Sequence, residues 1–242
     1  MDRIQIEICV DTPDGIAAAR QGGADRIELC AGLGLGGLTP GPGLIEAAAQ
    51  ATIPSHAMIR PRAGDFRADA ADLRAMLADI RAVREAGLAG VVIGVAGADG
   101  RLDTDALARL VEASGPLHVT LHRVFDLTPD PLAALETAVE LGIGRILTSG
   151  GKPTAPEGAG MIARLCEAAA GRIEIMAGSG VNAGNAAGLI AAGVDALHAS
   201  CGTVEAADDP FQFGASRRTD SDRVAALGRA ATQAAKLEAQ DT

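Results

Sequence analysis

Ile4-Gln5-Ile6-Glu7-Ile8-Cys9-Val10 alternates apolar and polar residues, and Arg26-Ile27-Glu28-Leu29-Cys30 repeats the pattern. Alternation with period two is the mark of a β-strand, whose side chains point to opposite faces in turn. Glu7 and Cys9 therefore share one face, and Glu28 and Cys30 share another. Two neighbouring parallel strands would bring two carboxylates and two thiols to one end of a sheet. Strands of an open doubly wound sheet are buried on both faces and read as continuous apolar runs. The regularly spaced polar residues here need an interior of their own, which the mouth of a closed barrel provides.

Working outward, six more strand-like runs follow: His56–Arg60, Gly90–Val95, His118–His122, Arg145–Ser149, Ile173–Ala177 and Ala196–Ser200. Ala-rich segments of helical periodicity separate all eight: Pro13–Gln21, Pro42–Ala51, Ala70–Ala86, Asp103–Ala113, Pro129–Leu141, Pro156–Ala169 and Ala183–Ala192. Asp103 opens one of them with Asp105 in its first turn, and Pro129 and Pro131 suit an opening turn. Gly22, Gly87, Gly142 and Gly193 follow helical runs as stops. The count predicts an α/β fold, a (β/α)8 TIM barrel. A single domain is expected over 1–242, with the barrel at about 3–202 and a C-terminal loop and helix at 203–242. Asp208–Asp220 reads as a polar loop, in which Phe211 and Phe213 are candidates to anchor it on the barrel rim or on another subunit. Ser221–Leu237 reads as the last helix, capped by Asp220 or Ser221.

The totals fit. At 242 residues the chain lies in the range of about 200–250 that α/β barrels occupy as one domain. Hydrophobic residues make up 48% and aromatics only 2%, so the core rests on Ala, Val, Ile and Leu. A net charge of −10 with no basic run argues against nucleic acid and against an anionic membrane surface. No apolar stretch reaches the ~18 residues of a span, and no signal peptide is expected before the first strand pattern. The four cysteines, at 9, 30, 166 and 201, are too few for a disulfide framework in a chain of this length, so a cytoplasmic protein with reduced thiols is expected.

With the apolar set of each strand turned toward the helices, Glu7, Cys9, Glu28, Cys30, Arg60, His122 and His198 face inward and converge at the C-terminal mouth, where barrel enzymes place their sites. Arg60 opposite the two glutamates is expected to lower their pKa values and orient them. His122 or His198 can exchange protons near neutral pH. No Ser-His-Asp order or HExxH spacing is present, and no nucleotide cofactor is implied. Thr148-Ser149-Gly150-Gly151 and Gly178-Ser179-Gly180-Val181 follow the sixth and seventh runs as candidate anion cradles. A third Gly-rich segment, 32–43, is placed to fold over the mouth.

Several ordered blocks resemble one known family. They are Glu7-Ile8-Cys9, Gly23-Ala24-Asp25-Arg26-Ile27-Glu28-Leu29-Cys30, Gly36-Gly37-Leu38-Thr39-Pro40, Ile59-Arg60-Pro61-Arg62-Ala63-Gly64-Asp65-Phe66, His122-Arg123-Val124-Phe125-Asp126, Leu147-Thr148-Ser149-Gly150-Gly151 and Met176-Ala177-Gly178-Ser179-Gly180-Val181. Over nearly its whole length the chain resembles the CutC proteins, named for copper homeostasis. That resemblance implies a (β/α)8 barrel, a cytoplasmic homo-oligomer, and Cu(I) held by two cysteines matching Cys9 and Cys30. Ala63, Val124 and Gly41 stand where the family often has Gly, Ala and Ser.

Two functions follow from this sequence. One is copper homeostasis, with Cu(I) bound by Cys9 and Cys30, since soft thiolates prefer that ion. Cys166, on a helix, is read as core, and Cys201, just past the last strand, as a residue able to approach the mouth. The other is an enzyme doing acid–base chemistry on a small anionic or phosphorylated metabolite. There Glu7, Glu28, His122 and His198 move protons, while Arg60, Arg62, Ser149, Gly150, Gly151, Gly178, Ser179 and Gly180 hold the anion.

Overall fold

The computed structural model describes residues 3–205 and 216–238. Its eight parallel strands close on themselves in chain order, each hydrogen-bonded to the next and the last to the first. They are β1 (Gln5–Val10), β2 (Arg26–Leu29), β3 (Ser55–Met58), β4 (Gly90–Ile93), β5 (His118–Leu121), β6 (Arg145–Thr148), β7 (Glu174–Ala177) and β8 (Ala196–Ala199). Between them run α1 (Pro13–Gln21), α2 (Pro42–Gln50), α3 (Ala70–Glu85), α4 (Thr104–Ser114), α5 (Pro131–Glu140), α6 (Ala159–Ala169) and α7 (Ala186–Ala191); α8 (Ser221–Glu238) follows the barrel. This is the (β/α)8 barrel expected from the strand count.

The main core lies between strands and helices, not inside the barrel. Ile6, Ile8 and Val10 from β1, Ile27 and Leu29 from β2, and Val91 and Ile93 from β4 meet helix residues such as Ile80, Leu107, Leu110 and Leu135, all essentially inaccessible to water. Turning these residues outward forces their neighbours inward. The barrel interior is accordingly polar over much of its height, holding buried Glu7, Arg26, Glu28, His56, Thr120, Arg145 and His198.

Capping chemistry sets the helix starts. Thr12, Asp69, Asp103 and Asp130 each accept from backbone N–H groups of the first turn of α1, α3, α4 and α5. Asp130 caps α5 with Pro131 at its first position, so Pro129 lies outside the helix. Asp220 Oδ1 accepts from Asp222 and Arg223 N–H and so caps α8. Gly87, Gly142 and Gly193 have left-handed φ values of 75°, 75° and 90° beyond their helices. After α1 that conformation falls on Gly23 (φ 81°), while Gly22 stays right-handed at φ −75°.

One element departs from the expected loop. Gly202–Glu205 (β9) pairs antiparallel with Ser216–Thr219 (β10), forming a two-stranded ribbon between β8 and α8. The proposed rim anchors Phe211 and Phe213 lie outside the described residues. Among the described residues no helix is long and apolar enough to cross a membrane.

Candidate functional site at the barrel mouth

The register between β1 and β2 decides what the repeated Glu-x-Cys can do. Glu7 lies beside Arg26, and Cys9 beside Glu28. The strands are staggered by two residues relative to the sequence repeat, so carboxylate does not face carboxylate and thiol does not face thiol. On the other side of β1, Glu7 lies beside His198 of β8.

Glu7 is fully buried and saturated with partners. Arg26 Nε donates to Oε2 at 2.5 Å, His198 Nδ1 lies 2.8 Å from Oε1, and Arg145 Nη1 stands 4.0 Å from Oε2. Burial alone would raise its pKa. The hydrogen bond and charge of His198, with Arg26, outweigh burial and hold the carboxyl well below the usual range. Arg145 also donates to Glu174 at 2.6 Å and to Thr120 Oγ1 at 3.1 Å, which carries the ionic network down the barrel. Beneath it the rings of His56 and His118 stack with centroids 5.2 Å apart, and burial pushes His56 down to about 3.

Glu28 sits higher and has the opposite electrostatics. Burial, which dominates, and the nearby Glu7 charge raise its pKa, against the pull of His198. Its Oε2 accepts from Cys30 Sγ at 3.5 Å and lies 3.7 Å from His198 Nε2. For His198, burial alone would lower the pKa; Glu28, Cys9 and Glu7 outweigh it and keep the ring protonated well above the ordinary imidazole value. Cys9 Sγ, a Glu28 carboxylate oxygen and a His198 ring nitrogen all lie within 4.8 Å of one another.

Cys30 is not among these three. It is completely buried beside Met58, Val92 and Leu33, and burial drives its thiol pKa well up. Cys201 packs partly buried against the main core with a left-handed φ of 46°, and Cys166 packs there too.

Arg60, two residues beyond the end of β3, does not reach the glutamates, contrary to the expectation that it faces them. Its Nη1 donates to the Leu35 and Gly37 carbonyls and its Nη2 to Gly64 O, so it ties the loop after β2 to the loop after β3. The charges that orient Glu7 are Arg26 and Arg145. These two open β2 and β6 at inward positions, a signal that strand alternation contains. His122 Nδ1 accepts from Val124 N–H at 3.1 Å, capping the short 3-10 helix Arg123–Leu127. Burial and Arg60 push His122 down to about 3, so its ring is neutral at physiological pH.

The glycine loops divide. After β6, the N–H groups of Ser149 and Gly151 both donate to Asp126 at 3.0 Å, and Thr148 Oγ1 donates to the same carboxylate at 2.5 Å. Gly150 N–H donates to Thr148 Oγ1. This cradle for Ser149, Gly150 and Gly151 already holds an anion, the protein's own Asp126. Arg62 is half-exposed and bonded to Asp65 and Asp72, away from the mouth. After β7, by contrast, Ser179 and Gly180 line the mouth with φ values of 82° and 74°. Gly178 stands directly below, where a Cβ would meet Leu147 Cδ1 at 2.5 Å. The mouth is a cavity of about 490 Å³ whose walls include Cys9, Glu28, Arg60, Phe66, His122, His198 and Ser200, with Leu33 and Gly36 of the loop after β2 above them.

Fold and site together define a (β/α)8 barrel with an ionic interior and a polar pocket at the C-terminal ends of its strands. Residues 4–203 match the CutC family, and the chain belongs to that family. It is 51% identical over 234 residues to a family protein CutC from Sinorhizobium medicae, covering 94% of this chain and 96% of that one. A family protein CutC from Caulobacter vibrioides is 54% identical over 215 residues, or 88% of each chain. A solved CutC structure from Streptococcus agalactiae, named for copper homeostasis, superposes with a TM-score of 0.78 at 33% identity, covering 81% of this chain and 98% of that one.

Proposed function

We propose that the protein acts in copper homeostasis by holding a single Cu(I) ion at the barrel mouth, between Cys9, His198 and Glu28. The observation that carries this reading is the convergence of these three ligand atoms within 4.8 Å, with the far nitrogen of His198 bonded to Glu7 at 2.8 Å. A metal-binding histidine commonly donates its second N–H to a carboxylate, which fixes the ring and its tautomer. Thiolate and imidazole both suit Cu(I). The cluster of Glu7, Glu28 and Cys9 that draws a proton to His198 draws a metal cation for the same electrostatic reason. The family name and the naming of the Streptococcus agalactiae relative support the choice of copper.

In this reading Cys30 supports Glu28 and is not itself a ligand, which modifies the Cys9–Cys30 pair that the family resemblance implies. A cytoplasmic homo-oligomer belongs to the same reading. The test is an anaerobic Cu(I) competition titration on wild type, Cys9→Ser and Cys30→Ser. Loss of at least tenfold in affinity is expected for Cys9→Ser and little change for Cys30→Ser. Equal losses in both variants, or no Cu(I) binding by wild type, would overturn it.

A further inference from the structure

One ion and its ligands leave most of the mouth unused. A volume of about 490 Å³ lies in the range of small-molecule pockets, roughly 300–1,000 Å³. Among the described residues, the buried side-chain nitrogen and oxygen atoms without a hydrogen-bond partner are Glu28 Oε1, Arg60 Nε, His118 Nδ1 and His122 Nε2. His118 opens β5 at the far end of the barrel, but Glu28, Arg60 and His122 all line this one cavity. Buried polar groups are nearly always paired, and the exceptions ask for an explanation.

The partners that these residues do have fix the character of the unpaired atoms. His122 Nδ1 accepts from Val124 N–H, so the proton of the neutral ring is on Nε2, a donor. Arg60 uses both terminal nitrogens on loop carbonyls and keeps Nε–H. Glu28 turns Oε2 to Cys30 and His198 and keeps Oε1, an acceptor. Both donors flank Phe66: the Arg60 guanidinium lies 4.7 Å from its ring centroid and the His122 ring 4.8 Å away. A guanidinium and a neutral N–H on one wall recognise an oxyanion, and a carboxylate acceptor recognises a hydroxyl.

We propose that the mouth binds a small hydroxylated organic anion, a hydroxy-carboxylate or a phosphate monoester. Its oxyanion takes the N–H groups of Arg60 Nε and His122 Nε2, and its hydroxyl donates to Glu28 Oε1. The three protein atoms are shielded from bulk water, and half-buried Phe66, touching both donors, is the side chain that moves to admit the ligand. This site is separate in its donors from the proposed ion site and shares only Glu28 with it.

Isothermal titration with glycerate and with glycerol 3-phosphate, using glycerol as the probe without an oxyanion, tests the proposal. At least one oxyanion binds wild type and glycerol does not; which one binds assigns carboxylate or phosphate. His122→Asn keeps an oxygen to cap Val124 but removes the Nε2 donor, and Arg60→Lys keeps the charge but removes Nε–H. Each is expected to weaken binding about tenfold, the equivalent of ~1.4 kcal/mol. The titrations are made on copper-free protein, so binding of the anion there separates this site from copper binding. Failure of both oxyanions to bind wild type at millimolar concentration, or undiminished binding by folded His122→Asn and Arg60→Lys, overturns the proposal.

Discussion

Glu7 and Glu28 occupy the same local sequence, Glu-x-Cys, yet the barrel gives them opposite electrostatics. Glu7 lies between Arg26 and His198, which hold its pKa down; Glu28 has one unpaired oxygen, and burial holds its pKa up. The repeat was legible in the sequence, and so was the inward face of β1, β2, β3, β5 and β8. The stagger that places Cys9 beside Glu28 was not, because it comes from closing eight tilted strands and no local pattern encodes it. Arg60 was misplaced for a related reason: its place just past β3 fixed the mouth, but its length let it reach loop carbonyls. Glu7→Gln is expected to cost about 3–5 kcal/mol in urea denaturation, since it leaves the charges of Arg26 and His198 buried without their anion. Gly94→Ala should destabilise by about 1–3 kcal/mol and displace His122, because the new Cβ would stand 2.3 Å from His122 Cε1 and 2.7 Å from Val124 Cγ1. A thermal melt, with the His122 ring resonances followed by NMR, checks both effects.

Strands and helices were recovered to within a few residues, because alternation and helical periodicity are local. α1 matches its expected bounds, and α5 starts later than expected because Asp130 caps it. The ribbon of β9 and β10 escaped because Ser216-Arg217-Arg218-Thr219 has no apolar alternation. The loop after β6 shows how a motif can be legible while its partner is not: the glycines announce a turn, but Asp126 arrives from the loop after β5. Asp126→Ala would strip an acceptor from Arg123, Thr148, Ser149 and Gly151 at once. Unpaired buried donors cost ~1–3 kcal/mol each, so a loss of at least about 2 kcal/mol is expected. Hydrogen exchange at the Ser149 and Gly151 amides should accelerate, whereas unchanged protection would show that Asp126 does not hold the loop.

For the whole molecule the buried histidines predict a stability maximum near pH 6.5. His56 and His122 have pKa values of about 3 in the folded protein against an ordinary 6.5. The unfolded chain takes up their protons first as pH falls, so their contribution is complete above 6.5 and is lost toward pH 3. Glu7, with its lowered pKa, adds a further loss below about 4.5. His198 has the reverse sign: its raised pKa stabilises fully below 6.5, and that contribution is lost as pH rises through the folded value. Glu28, also raised, gives up its contribution as pH climbs above 4.5. Each unmatched proton changes stability by ~1.4 kcal/mol per pH unit. Urea midpoints between pH 4 and 9 should fall on both sides of the maximum, and a flat profile below pH 6 would contradict the neutral, buried state of His56 and His122.

The polar interior, the ionic network and the mouth cavity all arise from turning alternate strand residues inward, and the ion proposed there has a definite donor set. X-ray absorption at the copper edge of the anaerobically Cu(I)-loaded wild-type protein reads that set directly. One sulfur scatterer from Cys9 with nitrogen or oxygen from His198 and Glu28 is the predicted shell; two sulfur scatterers would return the ion to a Cys9–Cys30 pair and contradict the site described here.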